Sequence, residues 1–260
     1  MLMRKILLTS VGVAALAVSA NATDFTLSGT AKVKVMDDGN TSVDVSTAVG
    51  VSKTFDNGMV LSLSNNNMGN AGELTITSDA VAITFGDFDQ NEKAPGLNGN
   101  AASSDISSDG IAHSSDAGGI SLGATVAGMG IGAAMNNQGD TMFGGSFATD
   151  MGGMAVTIGG DVYSDDNASL DQTTMGVKAG LGALTLVAHS KQVEAAAGTD
   201  TVSYSAAYTT GGLVIGFQGD DNDKSSYSAT YTVVPGMQFE IGSLDDGTTS
   251  TSSAELQMTF

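Results

Sequence analysis

Cysteine and tryptophan are absent from this 260-residue chain, proline occurs twice, and the single arginine is Arg4. Without cysteine there can be no disulfides, thiolate zinc centres or cysteine nucleophiles, even in a compartment that permits oxidation. Basic residues are scarce: 9 Lys and Arg stand against 28 Asp and Glu. That balance excludes a nucleic-acid binder, which needs a basic face for phosphates. It equally excludes a polybasic membrane-surface segment. Beyond residue 22 no apolar run reaches the ~18 residues of a spanning helix, which excludes a helical membrane protein.

What is present begins with a processing signal. Arg4 and Lys5 precede an apolar stretch from Ile6 to Val18, and Ala20-Asn21-Ala22 closes it as a small-residue cleavage site. The pattern predicts a secretory signal peptide over 1–22, cut after Ala22. Removing Arg4 and Lys5 takes the formal charge from −19 to −21. Every remaining base is a lysine.

The mature chain, 23–260, is rich in Gly, Ser, Thr, Val and Ala and alternates apolar with polar residues. Phe25 to Val35 is apolar or small at every odd position and polar at nearly every even one. The pattern returns in Leu74-Thr75-Ile76-Thr77, Tyr204-Ser205-Ala206 and Leu256-Gln257-Met258-Thr259-Phe260. Period 2 is the signature of strands with one apolar and one polar face. Sixteen strands are expected: 24–36, 42–55, 59–65, 73–79, 81–88, 119–127, 129–136, 141–149, 154–163, 171–180, 183–191, 200–208, 213–219, 225–233, 237–244 and 253–260. The least marked are 129–136 and 141–149, which are dominated by Gly and Ala.

The connections alternate in kind. Asp56-Asn57-Gly58, Thr209 to Gly212 and Val234-Pro235-Gly236 are tight turns; Asp37 to Thr41, Asp220 to Lys224 and Asp245 to Ser252 are longer and acidic. The fifth connection, about 89–118, is far longer than the rest. Short turns on one side and longer loops on the other, with an even strand count, describe a transmembrane antiparallel β-barrel. A spanning sheet must close, because lipid cannot satisfy free edge groups. The expected lipid-facing set includes Leu27, Val33, Leu122, Ile158, Leu186, Ile215 and Ile241. The expected inward set includes Thr30, Lys32, Lys34, Asp44, Lys178, His189, Glu240 and Glu255. Lys53 breaks the parity, but it sits by a turn and can snorkel. Aromatics cluster at the turn end (Phe55, Tyr208, Tyr231, Phe239), and a girdle at the loop end is sparse.

The signal, the opening strand Asp24-Phe25-Thr26-Leu27-Ser28-Gly29, the segment Ile83-Thr84-Phe85-Gly86-Asp87-Phe88 before the longest loop, and the terminal Phe260 resemble the Gram-negative general porins, in particular the short alphaproteobacterial type. The resemblance covers the mature chain. It implies a homotrimer of sixteen-stranded barrels in the outer membrane, with Phe260 read by the barrel-assembly machinery. It also implies contact with outer-membrane lipid and lipopolysaccharide, and a fifth connection folded into the lumen. By position that loop carries Asp89, Glu92, Lys93, Asp105, Asp109, His113 and Asp116. The constriction is then expected at Glu92, Asp105, Asp109 and Asp116, and the lining wall at Lys32, Lys34, Asp44, Lys178, Glu240 and Glu255. Members of the family often oppose the loop acids with wall arginines. The mature chain has none, so a strong transverse field is not expected.

Sixteen strands leave an aqueous channel, unlike eight, whose side chains fill the bore. The expected activity is therefore passive diffusion of small hydrophilic solutes and ions, weakly favouring cations through carboxylates in the bore. No catalytic residue or cofactor is expected, since Gly119-Ile120-Ser121-Leu122-Gly123 falls inside the expected strand 119–127 and forms no strand-to-helix elbow, and His113 and His189 lack ligands at metal spacing. Asp220, Asp221 and Asp223 have the oxygen chemistry for loosely held calcium. Asp-Asn-Asp runs are also ordinary turn formers. Gly-Met-Gly-Ile-Gly at 128–132 lacks the strand–helix context of a phosphate loop and reads as a barrel turn. The other readings are a non-conducting adhesive or structural barrel with acidic surface loops, a barrel enzyme, or a soluble β-repeat protein. The first would attach cells without conducting, no catalytic triad supports the second, and no fixed repeat supports the third.

Overall fold

The structure, a computed structural model, describes residues 24–37, 39–65, 73–86, 92–97, 106, 119–165, 171–194 and 200–259. Sixteen strands run in chain order: β1 Asp24–Met36, β2 Thr41–Thr54, β3 Val60–Asn65, β4 Glu73–Thr77, β5 Val81–Phe85, β6 Gly119–Val126, β7 Met129–Asn136, β8 Thr141–Asp150, β9 Ala155–Ser164, β10 Asp171–Leu181, β11 Leu184–Glu194, β12 Thr201–Thr210, β13 Leu213–Asp220, β14 Ser225–Val234, β15 Met237–Asp245 and β16 Ser250–Thr259. Each pairs antiparallel with its neighbours in sequence, and β1 pairs with β16 from Thr30↔Thr259 to Met36↔Ser253, closing the barrel. The ten residues of β12, rising ~3.3 Å each and tilted ~45°, climb roughly 23 Å, close to the ~25 Å apolar band of an outer-membrane barrel.

Period 2 in the sequence becomes two faces in space. Val33, Val35, Val43, Val45, Leu122, Ile158, Met175, Leu186, Ile215 and Ile241 are exposed on the outer face. Ser121, Gln172, Thr174, Ser203, Gln218 and Ser226 are buried within. Register carries the parity around the wall: Leu61 faces Ile76, Ile76 faces Ile83, and Ile83 faces Leu122. The molecule is thus inverted relative to a water-soluble protein, whose apolar side chains leave water first. Outer side chains of this kind are solvated by hydrocarbon.

Turn chemistry sets the register. Gly211 and Gly212, both at positive φ (54° and 91°), form the two-residue link between β12 and β13. Positive φ at both central residues is the type I′ geometry, whose twist matches that of a hairpin. At the loop end, acids act as caps. Asp220 Oδ1 accepts from the Asn222 and Lys224 amides (3.0 and 2.9 Å), and Asp37 Oδ2 from the Ser252 amide (2.9 Å).

Aromatic positions differ in part from expectation. Phe55, Tyr208, Tyr231 and Phe239 are exposed at the turn end. The loop end carries a row on adjacent strands as well: Tyr204 on β12, Phe217 on β13 and Tyr227 on β14, with ring centroids 5.8 and 5.0 Å apart. Alternation in single strands conceals this row, which exists only through lateral register. Gly219 lies beneath the Tyr204 ring, and a Cβ there would meet it at 2.8 Å. Lys53 points outward as expected, and its Nζ lies 5.4 Å from the centre of the Phe55 ring.

Candidate functional site

A short piece of the fifth connection lies inside the barrel. The amide of Lys93 donates to both oxygens of Asp161 on β9 (2.8 and 2.9 Å), and the amide of Ala94 donates to Oδ2 at 2.6 Å. Asp161 is 2% exposed and lies between the outward-facing Gly160 and Val162, so its carboxylate points inward. A carboxylate taking three amide hydrogen bonds is a strong, charge-assisted anchor. Further along, the Ile106 amide donates to Gln218 Oε1 on β13 at 3.0 Å, and Ile106 is itself buried. The inner loop is therefore fixed to the wall at two described points, 93–94 and 106.

The wall is cut away to receive it. Inward positions beside 93–95 are Gly130 on β7, Gly159 on β9 and Gly176 on β10. A Cβ on Gly159 would overlap the Lys93 carbonyl, and one on Gly176 would sit 2.6 Å from the Pro95 carbonyl oxygen. Gly130, in the Gly-rich run of β7, makes room chiefly for Ser146 on β8, whose Oγ a Cβ would meet at 2.6 Å. Gly144 on β8 serves the anchor in the same way, since a Cβ there would overlap the Asp161 carboxylate. The Gly-Met-Gly-Ile-Gly segment has Gly128 in the β6–β7 turn and its other residues in β7.

The predicted wall residues converge, with one exception. Lys32 and Lys34 lie on β1, Asp44 on β2, Glu255 on β16 and Glu240 on β15. Register sets Lys32 opposite Asp44, Lys34 opposite Glu255, and Glu255 opposite Glu240. Lys32 Nζ lies 3.2 Å from Glu255 Oε1. Four neighbouring strands thus present two cations and three carboxylates as one inward patch. Glu240 and Glu255 are 8% and 4% exposed, whereas the Lys32 side chain is 30% exposed to the bore. Like charges directly opposite repel, and Lys32 offsets that repulsion. β1 stands eight strands from β9 in the ring of sixteen, so this patch faces residues 93–94 across the bore, whereas Ile106, bonded to β13, is two strands from Glu240 on β15. Lys178 points inward from β10, away from the patch.

Of the predicted loop acids, Glu92 is described: it is half-buried and immediately precedes the anchored amides. Asp105, Asp109, Asp116 and His113 lie outside the described residues, as do the signal 1–22 and Phe260. Sequence reasoning missed Asp161 and Gln218. The available signal was a charged residue at an inward position directly after Gly159-Gly160.

Register places His189 opposite Ser203, and Ser203 opposite Asp220. With strands ~4.8 Å apart, serine stands in the middle, and the imidazole and carboxylate are two strands apart, about 10 Å. A relay needs histidine in the middle, so the row reads as buried polar lining. Asp220 commits one oxygen to capping amides, and Asp221 Oδ1 accepts from the Val202 amide at 3.0 Å. Among the described residues no group of three or more His, Asp or Glu is arranged to hold a metal ion.

No family model matches the sequence, and no curated protein matches it. Solved structures do resemble the whole fold. A triple mutant of the porin of Rhodopseudomonas blastica gives a TM-score of 0.70 at 11% identity, over 92% of this chain and 100% of that one. A quintuple mutant of Rh. blastica porin gives 0.70 at 12% identity, with the same coverage. At such identity the likeness speaks for the fold, and it agrees with the strand count and the closure. This chain has the porin fold, a closed barrel of sixteen antiparallel strands, and residues 93–94 and 106 of its fifth connection are bonded to the wall.

Proposed function

We propose that this protein is a passive diffusion channel for small hydrophilic solutes and ions across an outer membrane, reached through a cleaved signal over 1–22. The observation that carries this reading is the inversion of the barrel, with aliphatic side chains outside and hydroxyls, amides and charges inside. An all-round apolar exterior suits hydrocarbon, and a polar interior in a sixteen-stranded ring suits water. The bore offers lining and an inner loop but no assembled nucleophile, acid–base pair or metal group among the described residues, which supports a channel over an enzyme.

Weak cation preference belongs to the same reading. The wall patch carries three carboxylates against two lysines, and Asp161 adds a further acid across the bore. Fixed negative charge in a pore raises the local cation concentration. Association as a homotrimer is supported by the outer face of β1 and β2, where Val33, Val35, Val43 and Val45 are exposed as an aliphatic patch that a second barrel could cover. Phe260 would serve the assembly machinery, and calcium would sit loosely between the acidic loop end and lipopolysaccharide phosphates.

Liposome swelling tests the function. Purified protein in vesicles should admit uncharged sugars at rates that fall smoothly with solute size. Swelling no faster than in protein-free vesicles, with the barrel folded, would contradict it.

A further inference from the structure

We infer that Asp161 is a positioning residue that sets the width of the bore by clamping residues 93–95 into a glycine-floored seat on the β7–β10 wall. This rests on the channel reading above.

Three observations meet there. The clamp is charged and multiple, with three amide hydrogen bonds of 2.6 to 2.9 Å entering one buried carboxylate. The seat is shaped, because Gly159 and Gly176 give up side chains beneath Lys93 and Pro95. Finally, Gly144 makes room for the clamp itself, so the carboxylate is held in place and not merely available. Ile106, by contrast, meets Gln218 through a neutral amide hydrogen bond. The charged clamp therefore makes 93–95 a firmly held stretch of the inner loop. Its backbone lies flush with the wall only while both the clamp and the glycines are intact.

Two kinds of change then act in opposite directions. Asp161→Ala removes both acceptor oxygens and with them all three hydrogen bonds. Each charge-assisted bond lost should multiply the unclamped fraction by about tenfold. The channel should show greater open-state current noise, and larger sugars should enter vesicles. Ala94→Pro removes the 2.6 Å bond without changing any charge, because proline has no amide hydrogen. It should raise noise to a lesser degree and leave the reversal potential in a salt gradient unchanged. Gly176→Ala fills the seat instead. Its Cβ, 2.6 Å from the Pro95 carbonyl oxygen and 3.0 Å from Pro95 Cδ, drives the segment into the bore and should lower unit conductance without added noise.

The experiment is single-channel recording of the three variants beside the unaltered protein, with heat-modifiable electrophoretic mobility as the check that each barrel is folded. Ala94→Pro alters only the loop, so it remains informative if Asp161→Ala fails to fold. Rising noise in the clamp variants together with falling conductance in the seat variant is the expected result. Folded variants with the parent's noise, size limit and conductance would overturn the inference. An unaltered protein that does not conduct would instead overturn the channel reading.

Discussion

Lys32→Met is the most informative single change on the wall. Lys32 lies 3.2 Å from Glu255 and opposite Asp44. Its loss shifts the patch from three acids and two bases to three acids and one. A unit charge about 5 Å from a hydrated ion in water is worth about 0.8 kcal/mol, reduced to about 0.5 kcal/mol by salt at 0.1 M. The cation gains and the anion loses that energy, so the cation-over-anion permeability ratio should rise about fivefold. Glu255→Gln should lower it by a similar factor. The double variant keeps the net charge of the patch and should return to the parent's value. Stability should follow a different pattern. Lys32→Met strands a carboxylate that is 4% exposed, and the cost should fall between the ~1 kcal/mol of exposed pairs and the 3–5 kcal/mol of buried ones, because the lysine meets bore water. The double variant removes that penalty. Reversal potentials under a tenfold salt gradient read the first effect, and urea titration of folded barrels reads the second. Identical reversal potentials for all four proteins would refute the placement of this patch beside the ion path.

The other predictions concern the two surfaces. Val45 is 61% exposed on the outer face, so Val45→Lys should cost about 2–4 kcal/mol of folding into bilayers if it sits near the midplane; Thr30→Lys, on the inward face, should cost much less, and urea titration in vesicles compares them. Asp246, in the β15–β16 connection, takes hydrogen bonds from the amides of Thr248 and Thr249, both at 2.8 Å, which hold its carboxyl below the usual aspartate range. A depressed value in the folded state means that its stabilisation is present above the unfolded value and is lost as pH falls through the folded one. Asp246→Ala should thus be less stable than the parent at neutral pH, with the gap closing only at pH below ordinary carboxylate titration.

Much of the barrel is legible one strand at a time. The boundaries expected for β1, 24–36, are those found, and even the glycine-rich 129–136 recurs as Met129–Asn136. Local alternation suffices there, because a strand exposed to lipid on one side and water on the other must keep period 2. The site is less legible because it is made laterally. Lys32 and Glu255 meet only when β1 closes on β16, and Asp161 acquires its role only when residues 93 and 94 arrive from a connection nearly seventy positions earlier. Glycine in β8 through β10 weakens the strand signal for the reason that makes it useful: Gly159 and Gly176 leave room for the inner loop, and Gly144 for the carboxylate that holds it.

Stepwise current is the most direct test of an inverted barrel around an open bore. Purified mature protein added to a planar lipid bilayer should give discrete, long-lived conductance steps that scale with salt concentration. Insertion of folded barrels that leaves the bilayer silent would contradict an aqueous bore.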